Sequence, residues 1–265
     1  MRFITYIMNY KKILIGGLFI VLFFGEIAIT FSYKGESNRN TPVNEIIPLS
    51  YRLTNKLSSN PSMASIDSIL KDFIKRKRIK GASVALTKDS KLIYAKGFGW
   101  ADEETKTRVE PKHVFRIASV SKLITAVTIM KIVEAGMIEI DDNVFGPNGI
   151  LNDSVYLNYN DKRVEKITVL NLLNHTSGWN NKKDDPLFQS LSIARKMNVK
   201  PPADIETIIQ YYLQKSLYYN PGTKYSYSNF GYAVLGKVIE KVTGMSYEDY
   251  VQFAILHPIG IYDMH

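Results

Sequence analysis

Ser119 and Lys122 stand three residues apart at the start of a stretch whose apolar spacing predicts a helix over residues 119–135. On a helix this spacing places the hydroxyl and the amine on one face, one turn apart. An amine in that position can take the proton of the hydroxyl and turn it into a nucleophile, provided that burial favours its neutral form. The wide apolar surface of the stretch predicts a central, buried helix around which the chain folds.

The Ser-x-x-Lys spacing also arises by chance in this chain, because Ser68 and Lys71 have it too. They lie inside residues 65–78, whose single apolar stripe predicts a surface helix. Ser119 instead lies at a helix start, where free N–H groups and the helix dipole favour a developing oxyanion. The position in its helix therefore makes Ser119 the candidate nucleophile.

Tyr227 and Asn229 form a second candidate set, in a Tyr-Ser-Asn sequence. A tyrosine hydroxyl relays protons when nearby cations stabilise its phenolate. The asparagine can hydrogen-bond a substrate amide and hold the lysine. Residues 156–158 have the same spacing within a polar loop. The sequence at 227–229 follows the Pro-Gly turn at 221–222 and precedes a predicted helix. It therefore lies in a loop, where catalytic side chains are usually found.

Composition removes several classes of function. The chain has no cysteine, which excludes disulfides, thiolate catalysis and cysteine-ligated metals. Its four histidines form no metal-binding pair, and Asp141 with Asp142 is best explained as a solvated turn, so we expect neither a metal nor a cofactor.

The net charge is +9, and much of the excess lies in a basic run at residues 75–80. A solvated helix end explains this run best. Anionic lipid or wall polymer is a weaker alternative. No recognition motif accompanies the run, so no nucleic-acid partner is expected.

An apolar run at residues 13–31 contains one charge, Glu26, and follows a basic N-terminal stretch. The run is long enough to span a bilayer, which takes about 20 residues. Basic residues before it predict that the N-terminus stays inside while the rest is exported. We therefore expect a signal anchor over residues 1–33 and a single-pass location in the cell membrane. Signal cleavage followed by secretion is the alternative.

The remaining chain predicts a linker and one α+β domain. Residues 34–62 are rich in Ser, Asn and Pro, which is typical of a linker. Residues 63–265 begin with the predicted surface helix and a hairpin over 82–98 that turns at Asp89 and Ser90. Further helices are predicted at 168–173, 204–217, 232–242 and 247–256.

These motifs, taken in order, resemble those of the serine beta-lactamase and penicillin-binding protein superfamily. The resemblance is strongest to the branch of class C beta-lactamases, D-alanyl-D-alanine carboxypeptidases and esterases. It covers about residues 65–265 and rests on the segments 81–86, 94–99, 115–122, 172–178 and 221–232. It implies a beta-lactamase/transpeptidase-like fold in which a helical region packs on an antiparallel sheet.

The resemblance also implies roles for individual residues. Ser119 is the acylated nucleophile, Lys122 the amine beside it, Tyr227 the base and Asn229 the substrate-binding asparagine. His175 is interpreted as structural, at a helix end that shapes the site wall. The implied activity is acyl-enzyme hydrolysis of an amide or ester. A D-Ala-D-Ala wall peptide, a beta-lactam and a small ester are candidates that the motifs do not rank.

The third motif of this superfamily, Lys-Thr-Gly or His-x-Gly on a strand beside the site, has no match after Tyr227. The similar sequence at 241–244 ends a predicted helix. We therefore expect an incomplete domain that lacks the C-terminal strands, with an exposed sheet edge. Turnover is expected to be weak or absent, because one lost oxyanion donor costs roughly 100- to 1000-fold in rate. A non-catalytic protein that binds wall fragments or a partner is the alternative function.

Overall fold

The structure is a computed structural model that describes residues 21–23, 26–28, 52–180, 182, 183 and 185–265. The chain divides into two compact units, Met1–Ile46 and Ile47–His265.

In the first unit, strands β1 (Val21–Phe23) and β2 (Glu26–Ala28) pair antiparallel. These six residues belong to the segment predicted as a membrane-spanning helix, and the structure describes them as strands. The other residues of that segment lie outside the described part of the chain. Within the described part, none of the helices combines the length and the apolar character needed to cross a bilayer.

The second unit contains an antiparallel sheet of order β3-β4-β5, formed by Gly81–Lys88, Lys91–Asp102 and Thr107–Arg108. The predicted hairpin between β3 and β4 is confirmed. Its two turn residues, Asp89 and Ser90, have φ values of 50° and 58°. Two consecutive residues with positive φ match the right-handed twist of the flanking strands, which explains the tight connection.

Helix α1 (Ala64–Arg76) packs on this sheet through one carboxylate. Asp67 accepts hydrogen bonds from the Tyr94 hydroxyl at 2.6 Å and from Lys96 Nζ at 2.5 Å. The pKa of Asp67 is lowered chiefly by the hydrogen bond from Lys96 and secondly by the one from Tyr94, and burial opposes both effects. A charged group on the helix thus bonds to two side chains of β4, which fixes α1 against the strand.

A short 3₁₀-helix, Asn55–Ser58, packs on the same strand. The buried Ser58 hydroxyl donates to the carbonyl oxygen of Ala95 at 2.7 Å and accepts from its N–H at 2.8 Å. The last residues of the segment predicted as a linker therefore belong to the folded unit.

Helix α2 (Ser121–Glu134) follows a 3₁₀ turn over Ala118–Val120. One of its faces is buried, through Thr125, Thr128, Ile129 and Ile132. The apolar side chains of the opposite face, Leu123, Val127 and Met130, are exposed, and so is Val120 in the preceding turn. The prediction of a central, buried helix is therefore wrong for this face, because no described element covers it. Among the described strands, β3 pairs with β4 alone.

The other helices are α3 (Val169–Leu173), α4 (Ser190–Lys196), α5 (Ile205–Leu213), α6 (Asn229–Thr243) and α7 (Tyr247–Val251), which continues as a π-helical turn over Gln252–Leu256. Side-chain caps set several of their starts. Thr168 forms a capping box with Asn171 at α3, and Ser228 accepts from the Gly231 N–H at 2.9 Å at α6. Gly244, at φ 69°, ends α6 in the left-handed conformation.

Three buried aromatic rings fix the start of α6. The ring of Phe230, the second residue of the helix, lies 4.6 Å from Trp179 and 4.7 Å from Tyr212 between centroids, in edge-to-face arrangements. All three side chains are at most 2 % exposed. Such pairs favour a defined geometry, so the residues just before Phe230 are held at a fixed position.

Candidate active site

Ser119 lies in the 3₁₀ turn that leads into α2, and its side chain is exposed. The preceding residue, Ala118, has φ 46°. The left-handed conformation costs an L-residue roughly 1–2 kcal/mol. Strained backbone of this kind is concentrated at functional sites, where the surrounding structure holds it. The turn thus presents the Ser119 hydroxyl to solvent at the start of a helix.

Lys122 is half-buried one turn further on, as the helical spacing predicts. Its Nζ lies 3.3 Å from Ser119 Oγ and 2.7 Å from Asn229 Oδ1. The rings of Tyr227 and Tyr232 face the same nitrogen, at 4.8 Å and 5.6 Å from their centroids. The amine is therefore held between two oxygen acceptors and two aromatic faces, which attract a cation.

Tyr227 reaches Ser119 from the loop before α6, and its hydroxyl donates to Ser119 Oγ at 2.7 Å. Burial acts to raise the pKa of Tyr227, but hydrogen bonds with Lys122 and Ser119 and the charge of Lys122 outweigh it. The pKa consequently lies below its ordinary value of 10.0. When Tyr227 is ionised, the same short contact lets the phenolate oxygen take the proton of Ser119.

His175 forms a wall of this site. Its ring lies 4.7 Å from that of Tyr227, and its Nδ1 accepts from the Ser228 N–H at 3.2 Å. Burial, and then the charge of Lys122, lower the pKa of His175. A neutral ring with an occupied Nδ1 agrees with the structural interpretation of this residue.

Asn229, the first residue of α6, connects the site to a residue that sequence analysis missed. Its Nδ2 donates to Oδ2 of Asp185 at 2.8 Å, while its Oδ1 faces Lys122. Asp185 caps the 3₁₀-helix Pro186–Phe188, and an Asp-Pro pair is an ordinary turn signal. The sequence therefore offered a reason for a cap at this position and none for a contact with the site.

The structure separates the candidate motifs from their chance copies. Ser68 belongs to α1, which packs on the sheet next to Tyr94 and Lys96 of β4. Tyr156 is only 3 % exposed, and burial above all raises its pKa to about 12, which makes it a poor base at neutral pH. A chain of hydrogen bonds connects the four residues predicted to form one site, from Tyr227 to Ser119, from Ser119 to Lys122 and from Lys122 to Asn229.

Ser119 thus contacts both a lysine one helical turn away and a tyrosine from a distant loop, two side chains that can take the proton of a hydroxyl. The sequence model of the beta-lactamase family matches residues 66–265, and the chain therefore belongs to that family.

Two curated relatives show the extent of this similarity. Protein flp of Staphylococcus aureus (strain MRSA252) is 29 % identical over 201 residues, which cover 76 % of this chain and 38 % of the relative. Penicillin-binding protein 4* of Bacillus subtilis (strain 168) is 30 % identical over 172 residues, which cover 64 % and 34 %. The chain thus spans less than two fifths of the length of either relative.

Solved structures confirm the predicted fold class. The octameric penicillin-binding protein homologue from Pyrococcus abyssi is 31 % identical with a TM-score of 0.60, over 75 % of this chain and 43 % of that one. A class C beta-lactamase, at 24 % identity, has a TM-score of 0.59 over 76 % and 49 %. The second unit accordingly has the beta-lactamase/transpeptidase fold, with helices packed on a small antiparallel sheet.

Proposed function

We propose that this protein is a serine hydrolase that forms an acyl-enzyme on Ser119. One observation carries the proposal: Ser119 Oγ lies 3.3 Å from Lys122 Nζ and 2.7 Å from the Tyr227 hydroxyl. Membership of the beta-lactamase family supports it.

The reaction follows from these contacts. The Tyr227 phenolate takes the proton of Ser119, and Oγ attacks the carbonyl carbon of an amide or ester. As the tetrahedral intermediate collapses, Tyr227 returns the proton to the leaving nitrogen or oxygen and the scissile bond breaks. Water then attacks the acyl-enzyme along the same route, and Ser119 recovers its proton. The cationic Lys122 stabilises the phenolate throughout.

The proposed substrates are acyl compounds recognised by penicillin-binding proteins, since several similar proteins carry that name. They are a wall peptide ending in D-Ala-D-Ala, a beta-lactam and, as a third class, a small ester.

A location outside the cell membrane is part of the proposal, since peptidoglycan lies there. Its support is the apolar run at 13–31 with basic residues before it. Membrane fractionation, followed by protease treatment of intact cells, tests this location. The proposal predicts that the protein is found in the membrane fraction and that external protease cleaves its second unit. Chain that stays soluble inside the cell would contradict it.

A non-catalytic binding protein that uses the same cleft is the alternative function, which the sequence leaves open because no match to the third motif of the superfamily follows Tyr227.

Turnover assays separate the two functions. They measure D-Ala release from a D-Ala-D-Ala peptide, opening of a beta-lactam and hydrolysis of a p-nitrophenyl ester. The full chain is compared with Ser119→Ala and with Ser68→Ala, the serine of the chance tetrad. The proposal expects turnover of at least one substrate that only Ser119→Ala abolishes. Saturable binding without turnover would establish the alternative.

A further inference from the structure

We propose that Asp185 is a positioning residue for the acyl-transfer reaction, which fixes the orientation of the Asn229 amide and through it holds Lys122 beside Ser119. This inference rests on the proposed function of Ser119. It adds a fifth side chain, from a different loop, to the four that the sequence motifs identify.

The argument begins with the two contacts of the Asn229 amide. Its Oδ1 lies 2.7 Å from Lys122 Nζ, and its Nδ2 lies 2.8 Å from Asp185 Oδ2. An ammonium can only donate hydrogen bonds, and a carboxylate can only accept them. The amide has one accepting and one donating end, so only one of its two orientations satisfies both neighbours.

The opposite orientation carries a double penalty. It would turn the carbonyl oxygen of Asn229 towards the Asp185 carboxylate and the amide protons towards the ammonium of Lys122. Two charge-assisted hydrogen bonds would become two repulsive contacts in a half-buried site. Asp185 therefore ensures that an acceptor always faces Lys122.

Asp185 and Asn229 are themselves held in place by the backbone around them. Asp185 uses its other oxygen, Oδ1, to accept from the N–H of Leu187 at 3.2 Å, as the cap of a 3₁₀-helix. Asn229 begins α6 directly before the fully buried Phe230. The carboxylate and the amide thus meet at positions that the backbone sets, which is what precise placement of a reacting group requires.

If Asp185 acted only through its charge, its removal would change the acylation rate in the opposite direction to that expected for a positioning role. The negative charge of Asp185 acts to raise the pKa of Tyr227, which also faces Lys122 and the ring of His175 and interacts electrostatically with Tyr232. If this charge were the only role of Asp185, its removal would lower the pKa of the base and speed acylation near neutral pH. A positioning role predicts slower acylation instead.

The test is Asp185→Asn in the full chain, with acylation followed at saturating penicillin. The introduced amide keeps the side-chain shape, and its oxygen can still accept from the Leu187 N–H. In that orientation its NH₂ group faces the NH₂ of Asn229, which then turns away from its productive orientation. We expect the maximal acylation rate to fall about 10- to 100-fold, the scale of a misplaced reacting group, with an unchanged melting temperature.

Asp204→Asn is the matched control. Asp204 caps α5 by accepting from the Thr207 N–H at 2.8 Å and is exposed. Its substitution removes the same charge from the same kind of cap, and the acylation rate is expected to stay unchanged.

An exchange variant tests the polarity of the contact directly. Asp185→Asn combined with Asn229→Asp again places a donor against an acceptor and leaves a carboxylate oxygen for Lys122. The positioning role expects this pair to acylate several-fold faster than Asp185→Asn alone. An Asp185→Asn rate equal to or above that of the wild type, or an exchange variant no faster than Asp185→Asn, would overturn the proposal.

Hydrogen exchange of the Asn229 side-chain NH₂, followed by NMR, gives a readout that does not need acylation. Protection in the wild type that is lost in Asp185→Asn supports the positioning role, and equal exchange in both overturns it. If the wild type shows this protection but forms no acyl-enzyme, the proposed function has failed while the contact stands.

Discussion

Asp161 joins two loops through one carboxylate, and its substitution allows a quantitative test of the fold. Its oxygens accept from Arg163 Nη2 at 2.6 Å, from Arg163 Nε at 3.0 Å and from the N–H of Leu217 at 2.9 Å. The side-chain hydrogen bonds with Arg163 are the main cause that lowers the pKa of Asp161 from 3.8 to about 2, against the opposing effect of burial. Arg163 also donates to Asn220, just before the turn that leads to Tyr227.

The size of the effect follows from this pKa. Each pKa unit is worth about 1.4 kcal/mol, so a shift from 3.8 to about 2 corresponds to roughly 2 kcal/mol of stability. The Asp161 side chain is 11 % exposed but that of Arg163 is 38 % exposed, and solvent screening there reduces the figure to roughly 1–2 kcal/mol. Because the folded pKa is depressed, this stability is complete above the unfolded pKa and is lost as the pH falls through the folded pKa.

Urea denaturation of the wild type and Asp161→Asn at pH 7 and pH 3 measures this contribution. We expect Asp161→Asn to lower the free energy of unfolding by roughly 1–2 kcal/mol at pH 7, and about half of that difference to remain at pH 3. Asp72→Asn, exposed on α1, makes the same change of charge and should cost less than about 0.5 kcal/mol. No loss at pH 7, or an equal loss at both pH values, would refute the reasoning.

Three further predictions concern the site and its walls. Tyr227→Phe removes the hydroxyl beside Ser119 and should slow acylation about 100- to 10,000-fold at unchanged stability, measured by penicillin labelling and thermal melting. In the wild type the acylation rate should rise with pH to a plateau, with a midpoint below 10.0, because Lys122 and Ser119 lower the pKa of Tyr227; a midpoint above that value would contradict the assignment of the base. Gly178→Ala should lower the free energy of unfolding by about 1–3 kcal/mol in urea, because φ is +100° and a Cβ would lie 2.5 Å from the Tyr219 carbonyl oxygen; unchanged stability would contradict this.

Elements with strong local signals could be predicted from the sequence. The hairpin turn at Asp89 and Ser90, the cap at Thr168 and the stop at Gly244 each depend on a few neighbouring residues, and the structure has all three. Strand β5, with two residues, and helix α4, with seven, were not predicted. Short elements of this kind depend on contacts with distant parts of the chain, which local propensity does not report.

The burial of α2 shows a second limit. Its sequence is apolar on several sides, which indicated a central helix, yet Leu123 is 66 % exposed and Ile129 is fully buried. Apolar spacing identifies the faces that can be covered, whereas the elements that cover them are set by the tertiary arrangement.

Some residues of the site could likewise be predicted from the sequence, and one could not. The contact between Ser119 and Lys122 follows from helical geometry, and the approach of Tyr227 was expected from the family resemblance. Asp185 could not be found by either route, because it meets Asn229 across 44 residues of sequence and belongs to none of the motifs.

Activation of Ser119 is the central claim, and intact-mass spectrometry of the full chain tests it most directly. The chain is incubated with a penicillin and, separately, with a fluorophosphonate, beside Ser119→Ala and Ser68→Ala. We predict an adduct of one acyl or phosphonyl group on the wild type and on Ser68→Ala, and none on Ser119→Ala. A folded wild-type chain that stays unlabelled by both reagents, or an adduct that persists in Ser119→Ala, would contradict the account.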